Sequence, residues 1–260
     1  MFQVSGAKLT LKGTGTIQNK WWIAQVRNGG QVVIESGTYI AQKEGFKAYG
    51  SGSKLIMNGG TVQTAECALG VNEGAELVMN GGLVETSDNM GIGTNGSAGQ
   101  GGNTITMNGG KIDASIKSPG YEAIGIYIAN SDTFVMNDGE VIANGGTGLC
   151  MRGGNVTIHG GTITATNVDK NGNVVPDGKI ADKNTTMMDC AAVIYDEAAN
   201  YPGKEGMTLT IDGGTLTAVD HSVQVLSNEA EPKVFVTGGN LTPAYPEPVP
   251  NTEPTPEPQG

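Results

Sequence analysis

Glu85 and Asp113 are the pair whose type and spacing most resemble chemistry. Each stands three residues after the second glycine of a Gly-Gly pair, in Gly81-Gly82-Leu83-Val84-Glu85 and Gly109-Gly110-Lys111-Ile112-Asp113. On adjacent strands the two would lie about 4.8 Å apart. A glycosidase needs two carboxylates about 5–9 Å apart. Gln63 and Ile142 hold the equivalent positions on either side. Acids pointing outward from a strand are more often solvated surface than catalysts. Asp169, Asn171 and Asn173 have the spacing that opens a calcium loop. However, Val174 stands where that loop needs glycine, and Ile180 where it needs glutamate. Asn171-Gly172 between valine-rich arms reads instead as a two-residue hairpin turn, so calcium is a secondary expectation and no other cofactor is expected. The glycine run from Gly96 to Gly102 lacks the Gly-Lys-Ser/Thr that a phosphate cradle requires.

What would position these residues is a repeated phrase. Leu55-Ile56-Met57-Asn58-Gly59-Gly60-Thr61-Val62 returns at Leu77-Val78-Met79-Asn80-Gly81-Gly82 and Ile105-Thr106-Met107-Asn108-Gly109-Gly110, and in looser copies before and after. The closing glycines fall at 15, 37, 60, 82, 110, 139, 161, 214 and 239, in steps of 22, 23, 22, 28, 29, 22, 53 and 25. A period near 22 with insertions marks a stacked repeat. Within each copy, alternation puts Leu55 and Met57 inward and Ile56 outward, and Val62 returns inward after the glycine corner. A third strand reads in Ala68-Leu69-Gly70-Val71, Ala123-Ile124-Gly125-Ile126 and Gly148-Leu149-Cys150-Met151. The expected fold is all-β: a single-stranded right-handed parallel β-helix of about nine coils, over residues 1–242 with an insertion at 166–207. Asn58, Asn80, Asn108 and Asn137 should form a corner ladder, continued by His159 and Asp212. Residues 243–260, rich in Pro and Glu, read as a linker or tail. Val4-Ser5-Gly6-Ala7 has the character of mid-repeat sequence, so the chain is expected to be part of a longer protein.

This pattern resembles the right-handed parallel β-helix superfamily that contains the pectate lyases. In style it is closer to the Gly-Gly-Thr-rich β-helical regions of large surface proteins from anaerobic Gram-positive bacteria. The first resemblance implies a polysaccharide lyase or glycoside hydrolase. The hydrolase motifs Asn-Thr-Asp, Asp-Asp, Gly-His-Gly and Arg-Ile-Lys are absent, and Arg27 and Arg152, the only arginines, have no carboxylate that spacing alone places beside them. The second resemblance implies a surface module, and the residues favour binding over catalysis.

Fifteen bases against 26 acids give a net charge of −11. Nucleic acid is disfavoured for want of a basic patch, and polyanionic glycans likewise. No apolar run reaches membrane-spanning length, so no membrane insertion is expected. Cys67, Cys150 and Cys190 fall at positions too far apart or too far offset to pair, which predicts three thiols. The outward residues of the third strand are small, which suggests a shallow trough rimmed by aromatic side chains. Its candidate ligand-binding residues are Trp22, Tyr49, Gly93, Tyr121, Gly125 and Tyr127, with Phe46 and Tyr201 beside them. Ile56, Val78 and Val135 belong to an outward apolar row suited to self-association. The expected role is a non-catalytic adhesion or stalk module on a bacterial surface, presenting a face to glycan or protein ligands. A polysaccharide-cleaving enzyme and a virion fibre or decoration protein are the alternatives.

Overall fold

The computed structural model describes residues 1–117, 123–169, 171–174 and 190–243. Its 27 strands form three nine-stranded sheets, and each coil contributes one strand to each sheet in turn. Sheet A runs from Phe2–Ser5 to His221–Leu226, sheet B from Lys8–Leu11 to Val234–Val236, and sheet C from Thr16–Asn19 to Asn240–Pro243. Neighbouring strands are parallel, and the repeated phrase pairs with itself: Leu55 with Leu77 with Ile105, and Met57 with Met79 with Met107. The chain is therefore a parallel β-helix of nine coils. At about 4.8 Å per coil the stack is roughly 43 Å long.

The core is a bundle of straight side-chain columns. Leu55, Leu77, Ile105 and Phe134 stack in sheet B, Val62, Val84, Ile112 and Val141 in sheet C, and Phe46, Leu69, Ile92 and Ile126 in sheet A, all fully buried. Phe46 is thus a core residue and not part of a trough rim. It packs edge-on against Tyr39, ring centroids 5.4 Å apart, whose hydroxyl donates to the Ser36 carbonyl at 2.7 Å.

The glycine corner explains the methionines. Gly60, Gly82 and Gly110 adopt φ of 81°, 93° and 88°, a region that favours glycine. A Cβ on Gly82 would come within 2.6 Å of Met57 Cε, and one on Gly110 within 2.7 Å of Met79 Cε. Each methionine therefore ends in the hollow below the next coil's glycine, which an unbranched, flexible side chain can reach. Outside this corner the asparagines bond amide to amide. Asn80 Nδ2 donates to Asn58 Oδ1 at 2.8 Å, Asn108 to Asn80 at 2.8 Å and Asn137 to Asn108 at 2.7 Å. Glu35 accepts from Asn58 at the lower end, and His159 Nδ1 meets Asp212 at 2.8 Å further up.

The three cysteines are buried thiols. Burial pushes Cys67 up to about 12, against the pull of the nearby Lys47 cation. Among the described residues no helix is long and apolar enough to cross a membrane.

Leu77→Ala should destabilise the protein by about 2–5 kcal/mol, because a column packed on both sides cannot collapse around the gap. Asn80→Ala removes ladder bonds at an exposed edge and should cost about 0.5–1.5 kcal/mol. Urea denaturation of both variants checks the order.

Candidate functional site

An open groove runs along the outer side of sheet C. Ile40, Gln63, Glu85 and Asp113 occupy one row, in register from strand to strand. Thr64, Thr86, Ser87, Ser115 and Lys117 line it further along the strands. Gln63 Nε2 donates to Glu85 Oε2 at 2.6 Å. Asp113 Oδ1 accepts from Ser115 Oγ at 2.9 Å and from Asn144 Nδ2 at 3.2 Å. Glu85 Oε1 and Asp113 Oδ2 have no donor among the described residues. Thr64 and Thr86 both donate to the Glu66 carbonyl at 2.7 Å and so fix the turn at the groove's rim. The result is a row of acceptors and amide or hydroxyl groups at strand spacing, which matches the hydroxyls of a polar, uncharged ligand.

Sheet A is not the trough that alternation suggests. Gly125 does not point outward: a Cβ there would lie 2.3 Å from Val141 Cγ1 and 2.5 Å from the Gly148 carbonyl oxygen. Gly91 and Gly148 likewise face Ile112 Cγ2 and Ile163 Cγ2. The chain bends from sheet C into sheet A at these glycines, and the ladder passes from Met90–Ile124 to Ile92–Ile126 without pairing them. The two-residue alternation fails at such a bend because the unpaired glycine no longer follows the pleat. Gly93 does follow the outward row, but its space is filled: a Cβ would be 2.2 Å from Met90 Sδ and 3.2 Å from Cys67 Sγ. Gly70 lies under the Lys47 stem: a Cβ there would be 2.9 Å from Lys47 Cγ.

Among the described residues the candidate rim tyrosines each meet partners within the protein. The Arg27 guanidinium stacks 4.0 Å from the Tyr49 ring centroid. Trp22 is half-buried and Trp21 is the exposed one, with Lys43 Nζ 5.3 Å from its ring. Tyr127 joins a second apolar cluster on the outer side of sheet A with Ile124, Cys150 and Ile194. Burial raises its hydroxyl's pKa. Tyr121 lies outside the described residues.

Arg152 does have a carboxylate beside it, contrary to the reading from spacing alone. Its Nε donates to Asp196 Oδ2 at 2.9 Å, with both side chains buried. Met151 pairs with Tyr195, so the next residues along, Arg152 and Asp196, are stacked neighbours. Aligning those strands in the sequence would have found the pair, but the 166–207 insertion hides their adjacency. Tyr127 and Tyr201 flank the guanidinium, with ring centroids 5.9 and 5.4 Å from its Cζ. The ion pair is sealed structure, without the open position a lyase arginine needs.

Two other groups resolve differently from sites. Asp169 Oδ1 accepts from the Asn171 and Asn173 amides at 2.8 and 2.9 Å, and its Oδ2 from Asn173 Nδ2 at 3.0 Å. These bonds hold the Asp169 carboxyl below the usual range, those from Asn173 most strongly. The carboxylate thus closes a hairpin in which Asp169 and Asn173 pair and Val168 bridges Val174. That loop is one residue longer than the expected Asn-Gly turn, with Gly172 at φ 81°. Among the described residues no group of three or more His, Cys, Asp or Glu could hold a metal ion. Asp132, fully buried, accepts from Asn103 N and Nδ2 at 3.0 and 2.7 Å, both on Oδ1. Its Oδ2 has no partner, and burial raises its pKa.

No protein-family model matches the chain, and no curated protein or solved structure matches it.

Gly125→Ala should cost about 1–3 kcal/mol by overpacking, whereas Gly15→Ala, which opens onto empty space, should be neutral. Asp132 is raised in the folded state, so its contribution favours folding at low pH and is lost as pH rises through the folded value. Asp132→Asn should therefore raise Tm over the parent at pH 7, with the gain shrinking towards pH 3. Thermal denaturation across that range checks the sign.

Proposed function

We propose that the chain is a non-catalytic binding or stalk module of a bacterial surface protein, which presents the sheet C groove to a neutral or basic glycan. The observation that supports this is the in-register row of Gln63, Glu85 and Asp113, with Ser115 and Asn144 beside it. Strand spacing of about 4.8 Å approximates the repeat of an extended sugar chain lying across successive coils. Carboxylate oxygens without a protein donor suit ligand hydroxyls, and the net charge of −11 opposes polyuronates. The Gly-Gly-Thr-rich style and the Pro/Glu-rich residues 243–260 support a surface location, and the latter lie almost wholly outside the described residues. The outward row of Ile56, Val78 and Val135 is half-buried and offers a second, lateral surface to a protein or another copy, while Val33 in the same row is covered.

The alternative is a glycoside hydrolase acting through Glu85 and Asp113, which the same register favours. A virion fibre is the other reading, supported by the fold alone.

A glycan array should return neutral or basic glycans. Glu85→Gln and Asp113→Asn should each weaken binding about tenfold or more, since a hydrogen bond to a charged group contributes about 1.5–3 kcal/mol. Release of reducing ends from a bound polysaccharide, lost in either variant, would replace the binding reading with the enzymatic one. Binding untouched by both substitutions would move the ligand off sheet C.

A further inference from the structure

The motif acid-x-Ser occurs twice in the sheet C groove, as Glu85-Thr86-Ser87 and Asp113-Ala114-Ser115, paired residue for residue on adjacent strands. Side chains two apart on a strand share a face, so each serine stands beside its own acid. The two copies are satisfied differently. Ser115 Oγ donates to Asp113 Oδ1 at 2.9 Å and accepts from Asn144 Nδ2 at 3.1 Å. Ser87 lines the groove and is only 7% exposed, yet among the described residues its hydroxyl has no partner. A hydroxyl so nearly buried normally has one. Glu85 turns instead to the coil below, where its Oε2 accepts from Gln63 Nε2. Three acceptors are thereby left over on two neighbouring strands: Glu85 Oε1, Asp113 Oδ2 and Ser87 Oγ.

Charge narrows what these acceptors would hold. Other surface acids are matched by a lysine of the neighbouring coil: Glu66 by Lys43 at 3.2 Å, Glu76 by Lys54 at 2.6 Å and Glu140 by Lys111 at 2.9 Å. Glu85 and Asp113 stand about 4.8 Å apart across the ladder. Among the described residues they face no cation within ion-pair distance, since Lys111 is engaged with Glu140 and Lys117 lines the groove without reaching either. Like charges opposite each other in a sheet repel, and a bound cation removes that repulsion. A metal ion is poorly served, because no third carboxylate, His or Cys among the described residues joins the pair. A primary ammonium is well served, because its three N–H donors match three acceptors. A lysine stem would need an apolar channel, whereas Thr86, Ser87 and Ser115 surround the pair with hydroxyls. Such surroundings suit an amine carried on a sugar ring.

We propose that the groove takes an amino sugar with a free, protonated amine, as in a polymer of 2-amino-2-deoxyhexose, and that the ammonium sits between Glu85, Asp113 and Ser87. This rests on the glycan reading of the sheet C groove and narrows it to cationic glycans. Gln63 Oε1, also without a donor among the described residues, lies one coil below to accept from a neighbouring ring hydroxyl. N-acetylation of the sugar removes the charge and leaves one N–H where there were three, so the acetylated polymer is the discriminating ligand.

Titration calorimetry of the full chain with glucosamine oligomers, their N-acetylated counterparts and a neutral glucan oligomer tests this. The free-amine oligomer should bind about tenfold or more tightly than the other two, and its binding should weaken as pH rises and the sugar amine loses its proton. Glu85→Gln and Asp113→Asn should each erase that preference. Ser87→Ala should weaken the free-amine oligomer about fivefold and leave the acetylated one unchanged. Glu76→Gln, on sheet B, should alter neither. Circular dichroism confirms that each variant is folded. Equal affinity for free-amine and acetylated oligomers, reduced equally by Glu85→Gln, overturns the proposal and leaves the glycan reading of the groove standing. Failure of every glycan to bind overturns both. A preference for the free amine that survives all three groove substitutions places the ammonium elsewhere and overturns the proposal. So does a titration with calcium alone that Glu85→Gln abolishes, which would make the pair a metal site. Binding of oligolysine in place of the amino sugar overturns it in favour of a basic peptide.

Discussion

In-register parallel stacking is the constraint that everything else in this molecule obeys. Each residue's nearest neighbours across the ladder are its own counterparts one coil below and one coil above, as Leu77 is held between Leu55 and Ile105. A side chain is kept in a column only if it can pack on copies of itself. Aliphatic groups satisfy this inside, and amides satisfy it at the corner, because an asparagine both donates and accepts. A charged side chain at the same position would meet its like at about 4.8 Å. This is why the corner row passes through Asn58, Asn80, Asn108 and Asn137 and changes to His159 and Asp212 only as a complementary pair.

Glycine serves this architecture in two physically different ways. At the sheet B to sheet C corner the second glycine takes a positive φ, and its missing Cβ makes room for the methionine below. At the sheet C to sheet A bend Gly91, Gly125 and Gly148 have ordinary backbone angles but no space, because sheet C's inner side chains occupy it. The functional consequence is a division between faces. Sheet A is closed by Met90, Cys67 and the Lys47 stem at one end and by a second apolar cluster at the other, whereas sheet C keeps an open polar row.

Buried polarity gathers where sheet A turns into sheet B. Asn103 Oδ1 accepts from Gly74 and Ala75, and its amide groups donate to Asp132. The chain after Asp196 folds back over this region. The Tyr201 ring fills the space beside Gly96, 2.2 Å from where a Cβ would sit, and a Cβ on Gly203 would come equally close to the Ser131 amide nitrogen. Arg152 and Asp196 are covered in the process. Removing one partner of such a pair leaves a charge that the low-dielectric surroundings cannot solvate, so the pair ties adjacent coils together irrespective of its net contribution to stability.

The period of glycine pairs and the alternation of apolar residues were enough to determine the sheets, the coil number, the inward columns and the asparagine ladder. Those features are set by local turn chemistry and by each coil's repetition of the last, and both are written along the chain. The register of Glu85 on Asp113 was legible for the same reason. What the chain could not state locally is where the strict alternation breaks. Gly125 reads as outward by counting from Ile126, yet its side faces Val141, because the bend between two sheets is fixed by the packing of both. The partnership of Arg152 with Asp196, the sealing of Gly93 by Met90 and the burial of Asp132 are likewise tertiary. Each depends on which residue of another coil reaches the same space, and insertions of unequal length between coils conceal that from the linear order.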